Sequence, residues 1–383
     1  MSEKGPPVFL DYDQSALDAA YDQAAYTPNR EQLIQRRIRD SELARRRVGE
    51  PERVAYGPAE IERLDIYRSG REPAPVFVFI HGGAWRSGHS QDFAGRAEMF
   101  LAAGAHYVVP DFAWVQDVGS SLMVLADQVR RAVAWVYGNI ARFGGDPTRL
   151  YLGGQSSGGH LAAVALTTDW RHDFGLPADL IKGGMCISGM YDLTPVRLSA
   201  RNAYVQFDDT SVAALSPIRH LDRLTAPLIV AYGTCETPEF QRQSREFAAA
   251  VEAAGKRVRL LVGEHYNHFE LSETLGNPYG LLGRAALDLM GLRGQPPNEP
   301  AAHREIRARI SNEPIPGSPS PFHSWRLTSL TAYRETVASA DDPILWRQPD
   351  RGAVSRSVRA GFSRDCPQGE AQAGGNQCRR PIE

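Results

Sequence analysis

The segment that most restricts the fold is Arg149-Leu150-Tyr151-Leu152-Gly153-Gly154-Gln155-Ser156-Ser157-Gly158. An apolar strand pattern runs into a serine bracketed by glycines, and a helical stretch, His160 to Thr168, follows at once. A chain that passes from strand to helix so abruptly must turn sharply. Backbone angles in such a turn are strained, and side chains at the flanking positions would collide, so glycines occupy them. The serine stands at the tip of the turn, beside the N–H groups that open the helix, where negative charge is favoured.

The remaining pattern supplies the sheet that this turn requires. Val76 to Ile80 is a continuous apolar run broken by His81-Gly82-Gly83. A strand apolar on both faces implies burial on both faces, as in a parallel sheet. Further strands are expected at 61–67, His106 to Pro110, Arg149 to Gly153, 183–188, Pro227 to Tyr232 and Val258 to Val262. Helices are expected around Phe93 to Ala103, over Ser121 to Phe143 up to the turn Gly144-Gly145-Asp146-Pro147, over His160 to Thr168, and over Phe240 to Ala254. Strands alternating with helices give an α/β fold, a mostly parallel, doubly wound sheet with helices on both faces and right-handed crossovers.

Three regions follow. Residues 51–292 carry the α/β pattern. Residues 1–50 are charged and helical in part, with Leu33, Ile34, Ile38 and Leu43 at helical spacing among arginines; they read as a solvated helix or as a cap over a site. Residues 293–383 are rich in Pro, Gly, Ser and Arg, and the isolated Phe322, Trp325, Leu345 and Trp346 offer too little apolar surface to offset ordering entropy, so a disordered tail is expected.

Bulk properties narrow the class. A formal charge of −2 over 383 residues argues against a nucleic-acid partner. No apolar run is long enough to span a bilayer, and Met1 to Pro7 lacks the apolar stretch of a signal peptide, so a cytoplasmic protein is expected. Four cysteines do not make a disulfide scaffold, Cys186 reads as a core residue, and nothing near Cys366 and Cys378 completes a zinc site, so no metal is assigned. Oligomeric state is left open, a homodimer included.

The chemistry rests on two motifs about 70 residues apart, each after an apolar strand. Ser156 in Gly154-Gln155-Ser156-Ser157-Gly158 is the candidate nucleophile. His81-Gly82-Gly83-Ala84-Trp85 is the candidate oxyanion loop, because glycines let backbone amides approach a substrate without Cβ obstruction. The amides of Gly83, Ala84 and Ser157 are the candidate donors. His81 is read as a brace for the loop.

His-Gly-Gly-x-Trp together with Gly-x-Ser-x-Gly resembles the arylformamidase (kynurenine formamidase) branch of the α/β-hydrolases, near the hormone-sensitive-lipase-like esterases. The resemblance runs from about Leu17 to Leu292. It includes Phe143-Gly144-Gly145-Asp146-Pro147, Ser188-Gly189-Met190-Tyr191-Asp192-Leu193, Pro238-Glu239-Phe240 with Arg242-Gln243-Ser244, and Asn267-His268-Phe269. It implies an α/β-hydrolase fold and a serine hydrolase that needs no cofactor. The implied substrate is a small-molecule amide or ester, an aryl formamide such as N-formylkynurenine of tryptophan catabolism first, with a promiscuous short-chain carboxylesterase or an aryl amide or carbamate hydrolase as alternatives. A non-catalytic binding protein on the same scaffold is the alternative of another class.

The base should follow the last strand and the acid should precede it in the chain. After Val258 to Val262 come His265 and His268, and the Asn-His-Phe pattern of the family favours His268. A histidine suits the task because its pKa near neutrality lets it take a proton and return it. After Pro227 to Tyr232 comes Gly233-Thr234-Cys235-Glu236-Thr237-Pro238-Glu239, and the family usually has Asp where Glu236 stands. Glu236 is the first candidate acid and Glu239 the second, although Glu239 also suits a helix N-terminus. Cys235 has no matching base and reads as a loop thiol. Asp146 and Asp192 read as turn-shaping residues. Trp85, Tyr191, Tyr266 and Phe269 lie beside these loops and either pack there or line a substrate pocket.

Composition assigns no core to the tail. Truncation after about residue 295 is therefore expected to leave activity and melting temperature nearly unchanged; a large loss of either would show that the tail docks on the α/β domain.

Overall fold

The computed structural model describes residues 5–292. The expected disordered tail falls outside the described residues. Two helices precede the sheet, α1 (Gln14–Ala20) and α2 (Arg30–Val48). The strands of the sheet are β1 (Glu52–Ala55), β2 (Arg63–Tyr67), β3 (Ala74–Ile80), β4 (His106–Pro110), β5 (Gly145–Gln155), β6 (Ile181–Ile187), β7 (Leu228–Gly233) and β8 (Val258–Gly263). Between and after them run α3 (Ala97–Ala102), α4 (Leu122–Asn139), α5 (Ser157–Leu166), α6 (Trp170–Phe174), α7 (Leu193–Leu198), α8 (Asp209–Leu215), α9 (Pro238–Ala253), α10 (His268–Glu273) and α11 (Leu281–Leu289).

The strands stand in the order β1-β2-β4-β3-β5-β6-β7-β8. The pairs β1–β2 and β2–β4 are antiparallel, and every other pair is parallel. This is the α/β-hydrolase arrangement that the sequence implied. The central strands β3 and β4 are buried along their whole length, as a strand covered on both faces must be. Their side chains alternate between two cores. Val76, Val78 and Ile80 join Val129 and Val133 of α4, Leu161 of α5 and Phe247 of α9 on one face. Phe77 and Phe79 meet Phe100 of α3, Leu271 of α10 and Ala286 of α11 on the other.

The order of strands fixes where a ligand can sit. β4 lies on one side of β3 and β5 on the other, so the crossovers diverge at β3. A crevice opens outside the carboxyl ends of the strands at such a switch point. The segments that leave β3 and β5 there are His81-Gly82-Gly83 and Ser156.

Local departures from the sequence expectations have plain causes. The helix expected around Phe93 to Ala103 begins as a 3-10 turn, Ser90–Arg96, and becomes α only at Ala97, behind the helix-weakening Gly95. The turn expected over residues 144–147 is shorter, since Gly144 alone takes a left-handed φ of 80° and β5 starts at Gly145. β1 escaped the sequence reading because it is a short, mostly exposed edge strand without an apolar run.

The N-terminal helices lie against loops that leave the sheet. Asp13 caps α1 by accepting from the Ala16 amide at 2.9 Å. Ser41 of α2 donates to the Asp92 carbonyl at 2.8 Å and accepts from the Gly95 amide at 3.1 Å. Arg36 pairs with Glu273 of α10.

His160 on α5 generates a pH prediction. It is fully buried, its Nε2 donates to the Leu215 carbonyl at 2.8 Å, and the Trp85 ring stands edge-on at 5.4 Å. Burial pushes its pKa down to about 4. In the unfolded chain the ring titrates near 6.5. Between those values the unfolded chain binds a proton that the folded chain refuses, so stability falls as pH drops through that window. Burial lowers His81 and His106 in the same direction. Thermal melts should hold steady above about pH 7 and lose on the order of 3 kcal/mol from His160 alone on approach to pH 4. His160→Gln should make that decline shallower, whatever it costs at neutral pH; an unchanged slope would remove His160 as the source.

Candidate active site

Ser156 directly follows β5 and is the N-cap residue of α5, with φ 60° and ψ −127°, a region that few non-glycine residues adopt. The neighbouring glycines make this turn sterically feasible. A Cβ on Gly154 would stand 2.2 Å from the Gly158 carbonyl oxygen, and one on Gly158 would stand 2.1 Å from that of Ile80. The Ser156 amide donates to the Ile187 carbonyl at 2.8 Å, which ties the turn to β6. Ser157, 1% exposed, is the first residue of α5, so its amide belongs to the N–H groups that open the helix.

The loop after β3 runs past the serine. A Cβ on Gly82 would lie 3.2 Å from that of Ser156. Gly83, Ala84 and Trp85 follow with φ of 135°, 53° and 63°, and strain of this kind concentrates at functional loops. A Cβ on Gly83 would overlap the Ser87 carbonyl, so the position admits only glycine. His81 braces the loop, as its position suggested. Its ring stacks on Phe112 at 4.4 Å and its Nδ1 donates to the Gly82 carbonyl at 2.9 Å. Burial lowers its pKa, which keeps it neutral.

His268 opens α10. Asn267 caps that helix, its side chain accepting from the amides of Phe269 and Glu270, each at 3.0 Å, while Glu270 accepts in return from the Asn267 amide at 3.3 Å. This capping box explains the Asn-His-Phe-Glu string and fixes where the imidazole points. His268 Nδ1 donates to Glu236 Oε2 at 2.8 Å, with both side chains buried. The other oxygen, Glu236 Oε1, accepts from the Ser188 hydroxyl at 2.6 Å and from the Gly233 amide at 2.7 Å. Gln155 links the histidine back to the serine turn, its Nε2 donating to the His268 carbonyl at 3.2 Å. Ser156, Glu236 and His268 thus come from the carboxyl ends of β5, β7 and β8, on neighbouring loops.

The second candidates go elsewhere. Glu239 is fully buried in a bidentate pair with Arg242 at 2.7 and 2.8 Å and accepts from the Tyr21 hydroxyl at 3.0 Å. His265 is exposed on a turn with φ 65° and offers its amide to Thr234 Oγ1. Cys235 is an exposed free thiol. Among the aromatic candidates, Tyr191 is a core residue: fully buried, stacked on Phe247 at 4.2 Å, its hydroxyl accepting from the Gly189 amide at 3.0 Å. Of the two readings open for it, packing is the one its burial matches, since the Ser-Gly-x-Tyr string uses its ring to fill the turn after β6. Trp85 is 1% exposed, between His160 and Phe207. Tyr266 is at the surface, 37% exposed. Phe269 lines a cleft behind His268.

Ser188, Gln155 and Gln23 were missed. Ser188 sat inside the quoted Ser-Gly-x-Tyr motif, and its φ of 49° marks it as a strained position, but the pairing with Glu236 crosses from β6 to β7. Gln23 reaches the same loop from the N-terminal segment, accepting from the Thr237 amide and donating to Thr237 Oγ1, each at 3.3 Å. Among the described residues no group of His, Cys, Asp or Glu forms a metal-binding cluster, and no helix is long and apolar enough to cross a membrane.

This sheet, with a strained serine turn at its switch point, makes the chain an α/β-hydrolase, and the proteins it resembles are enzymes of that class. It is 33% identical over 245 residues to the kynurenine formamidase of Danio rerio, covering 62% of this chain and 81% of that one. It is 30% identical over 248 residues to the kynurenine formamidase of Salmo salar, again covering 62% and 81%. The chain belongs to the kynurenine formamidase family. The family model BD-FAE matches residues 64–180, and the solved Pyrobaculum calidifontis esterase shares the fold with a TM-score of 0.56 at 19% identity over 70% of this chain and 93% of that one. The protein is a serine hydrolase of ester or amide bonds.

The serine turn itself is testable. Gly158→Ala should cost at least about 1–3 kcal/mol of stability, because the new methyl overlaps backbone that has no room to retreat. Gly138→Ala, in α4 with open space around the added Cβ, should be neutral or stabilising by about 0.5–1 kcal/mol. Denaturation midpoints of the two variants should fall on opposite sides of the parent protein, or Gly158 alone should fall.

Proposed function

We propose that Ser156, His268 and Glu236 form a catalytic triad that hydrolyses a small aryl formamide of the N-formylkynurenine kind. The observation that carries the reading is the 2.8 Å hydrogen bond from His268 Nδ1 to Glu236. With Nδ1–H committed to the carboxylate, Nε2 is the free, basic nitrogen of the ring. It takes the Ser156 hydroxyl proton as Oγ attacks the formyl carbon. The amides of Gly83, Ala84 and Ser157 hold the oxyanion of the tetrahedral intermediate. His268 then returns the proton to the departing aryl amine, and water, activated by the same ring, releases formate from the acyl-serine. Glu236 orients the ring and stabilises its charged form, and Ser188 and Gly233 hold Glu236 so that its extra methylene does not loosen it.

The substrate class is supported by the likeness to the two kynurenine formamidases. A short-chain carboxylesterase is the second reading, favoured by the shared fold with the Pyrobaculum esterase. Residues 1–50 act as a cap, a reading supported by the bonds from Gln23 to the loop of Glu236. A cytoplasmic location belongs to the same reading and is supported by the exposed free thiol of Cys235, which a reducing compartment preserves.

A kinetic panel tests both substrate readings: kcat/KM for N-formylkynurenine should exceed that for p-nitrophenyl acetate and butyrate, and the reverse order would favour the esterase. Ser156→Ala should lower kcat on the order of 10⁴- to 10⁶-fold with the fold intact, and Ser157→Ala far less. Glu236→Gln should lower kcat steeply, Glu236→Asp less so, and Glu239→Gln should spare kcat while lowering stability, because it breaks the buried pair with Arg242. Near-normal turnover in Ser156→Ala would overturn the triad.

A further inference from the structure

A second polar site lies behind α10, outside the groups given catalytic roles. A cleft of about 300 Å³ opens between α2, the 3-10 turn Ser90–Arg96 and α10, with Leu33, Arg37, Arg96, Phe269 and Ser272 in its walls. At its rim the arginines are satisfied: Arg36 pairs with Glu273 through both carboxylate oxygens, Arg47 does the same with Glu98, and Asp40 faces Arg39. Deeper in, they are not. Arg96 is 5% exposed, and its polar partners are Ser272, at 3.2 and 3.4 Å, and the Tyr107 hydroxyl. Arg37 lies with its guanidinium carbon 4.4 Å from the centre of the Phe93 ring, and Arg96 lies 5.2 Å from the same centre and 4.5 Å from that of Phe79. Each has a buried Nε without a hydrogen-bond partner, and among the described residues neither has a carboxylate ion-pair partner.

Two desolvated guanidinium groups of like sign are costly. Burial first, and then the Arg96 charge, lowers the pKa of Arg37 to about 10, so it still carries its charge at neutral pH. Ring faces offset part of that cost, but a buried cation is stabilised chiefly by an anion that can be bidentately bonded. Asp92 and Glu273 act on Arg37 only at longer range, and Glu273 is already held by Arg36. The cleft also borders the reaction site. Ser272 lies four residues, about one helical turn, after His268, and the Phe269 ring stands edge-on to the imidazole at 5.4 Å.

We propose that this cleft is a binding site for the carboxylate of a small organic acid, held by Arg37 and Arg96 with the Ser272 hydroxyl beside them. The carboxylate has two chemical sources, the far end of an amino-acid-like substrate or a separate acid acting as an effector. Guanidinium forks match carboxylate geometry, so lysine or glutamine would not replace either arginine in full.

The probe is sodium benzoate, exchanged for sodium chloride at constant ionic strength, with melting of the full chain as the readout. The parent protein should show a saturable rise in melting temperature on the order of 5 °C at roughly 100 times the Kd. Arg37→Gln should abolish most of it, and Arg36→Gln, at the rim, should keep it. Arg37 is partly exposed and is the variant of choice because removal of the deeply buried Arg96 endangers folding. Absence of a saturable rise in the parent protein, or an equal rise in Arg37→Gln, overturns the proposal. A kinetic arm separates the sources. A KM for N-formylkynurenine raised about 10- to 100-fold in Arg37→Gln, with the decarboxylated analogue unaffected, makes the carboxylate the substrate's own. Unchanged KM values alongside a lost thermal response make it a separate acid. If the parent protein hydrolyses neither compound, the formamidase reading fails while the thermal arm still decides the cleft.

Discussion

The structure depends first on a close approach of backbone to backbone. Gly154 faces the Gly158 carbonyl, and Gly158 faces the carbonyls of Ile80 and His81, all at distances that no Cβ could share. These contacts press the end of β5, the start of α5 and the end of β3 into one small volume. They force Ser156 into its left-handed conformation and bring the loop after His81 alongside it. A serine on an ordinary strand or helix would be covered by its neighbours. Here the strain in the turn is offset by the ten buried residues of α5 and by a strand buried on both faces.

The second constraint is the treatment of the Glu236 carboxylate. A buried carboxylate is costly unless its lone pairs are used. Glu236 uses one oxygen for His268 and Gln23 and the other for Ser188 and Gly233, so the ends of β6, β7 and β8 and the N-terminal segment meet at a single side chain. Glu239, three residues on, is buried just as completely but meets Arg242 and Tyr21 instead. Two glutamates three residues apart therefore have different work: Glu236 faces a titratable ring, and Glu239, in the first turn of α9, pairs with a permanent cation and holds Tyr21 of the N-terminal segment.

That N-terminal segment is more than a solvated helix. Tyr21 and Gln23 bond to the β7 loop, Ser41 to the loop after β3, and Arg36 to α10. It thereby joins three of the loops that surround the serine turn. Its arginines divide into rim residues paired with acids and Arg37, which is turned inward beside Arg96. Charge patterning along the chain could not make that division, because the acids that hold Arg47 and Arg36 lie 51 and 237 residues away in sequence.

The sequence by itself determined the sheet and its order of alternation, because apolar runs such as Val76 to Ile80 are dictated by burial on both faces, and burial is a local property of the pattern. It also determined the serine turn, since only glycine can occupy positions where backbones touch, and a glycine is visible in a sequence. It offered Asn267-His268-Phe269 as a family pattern, while the capping box by which Asn267 sets His268 is a feature of the folded chain. It did not separate Glu236 from Glu239, core Tyr191 from the other aromatics, or the unpaired Arg37 from its paired neighbours. Those choices depend on which side chain lies across from which after β5, β6, β7 and β8 have been laid side by side. A hydrogen bond between Ser188 and Glu236 spans 48 residues, and one between Gln23 and Glu236 spans 213. Such pairings leave no periodicity in the chain; only the tertiary packing that brings the loops together decides them.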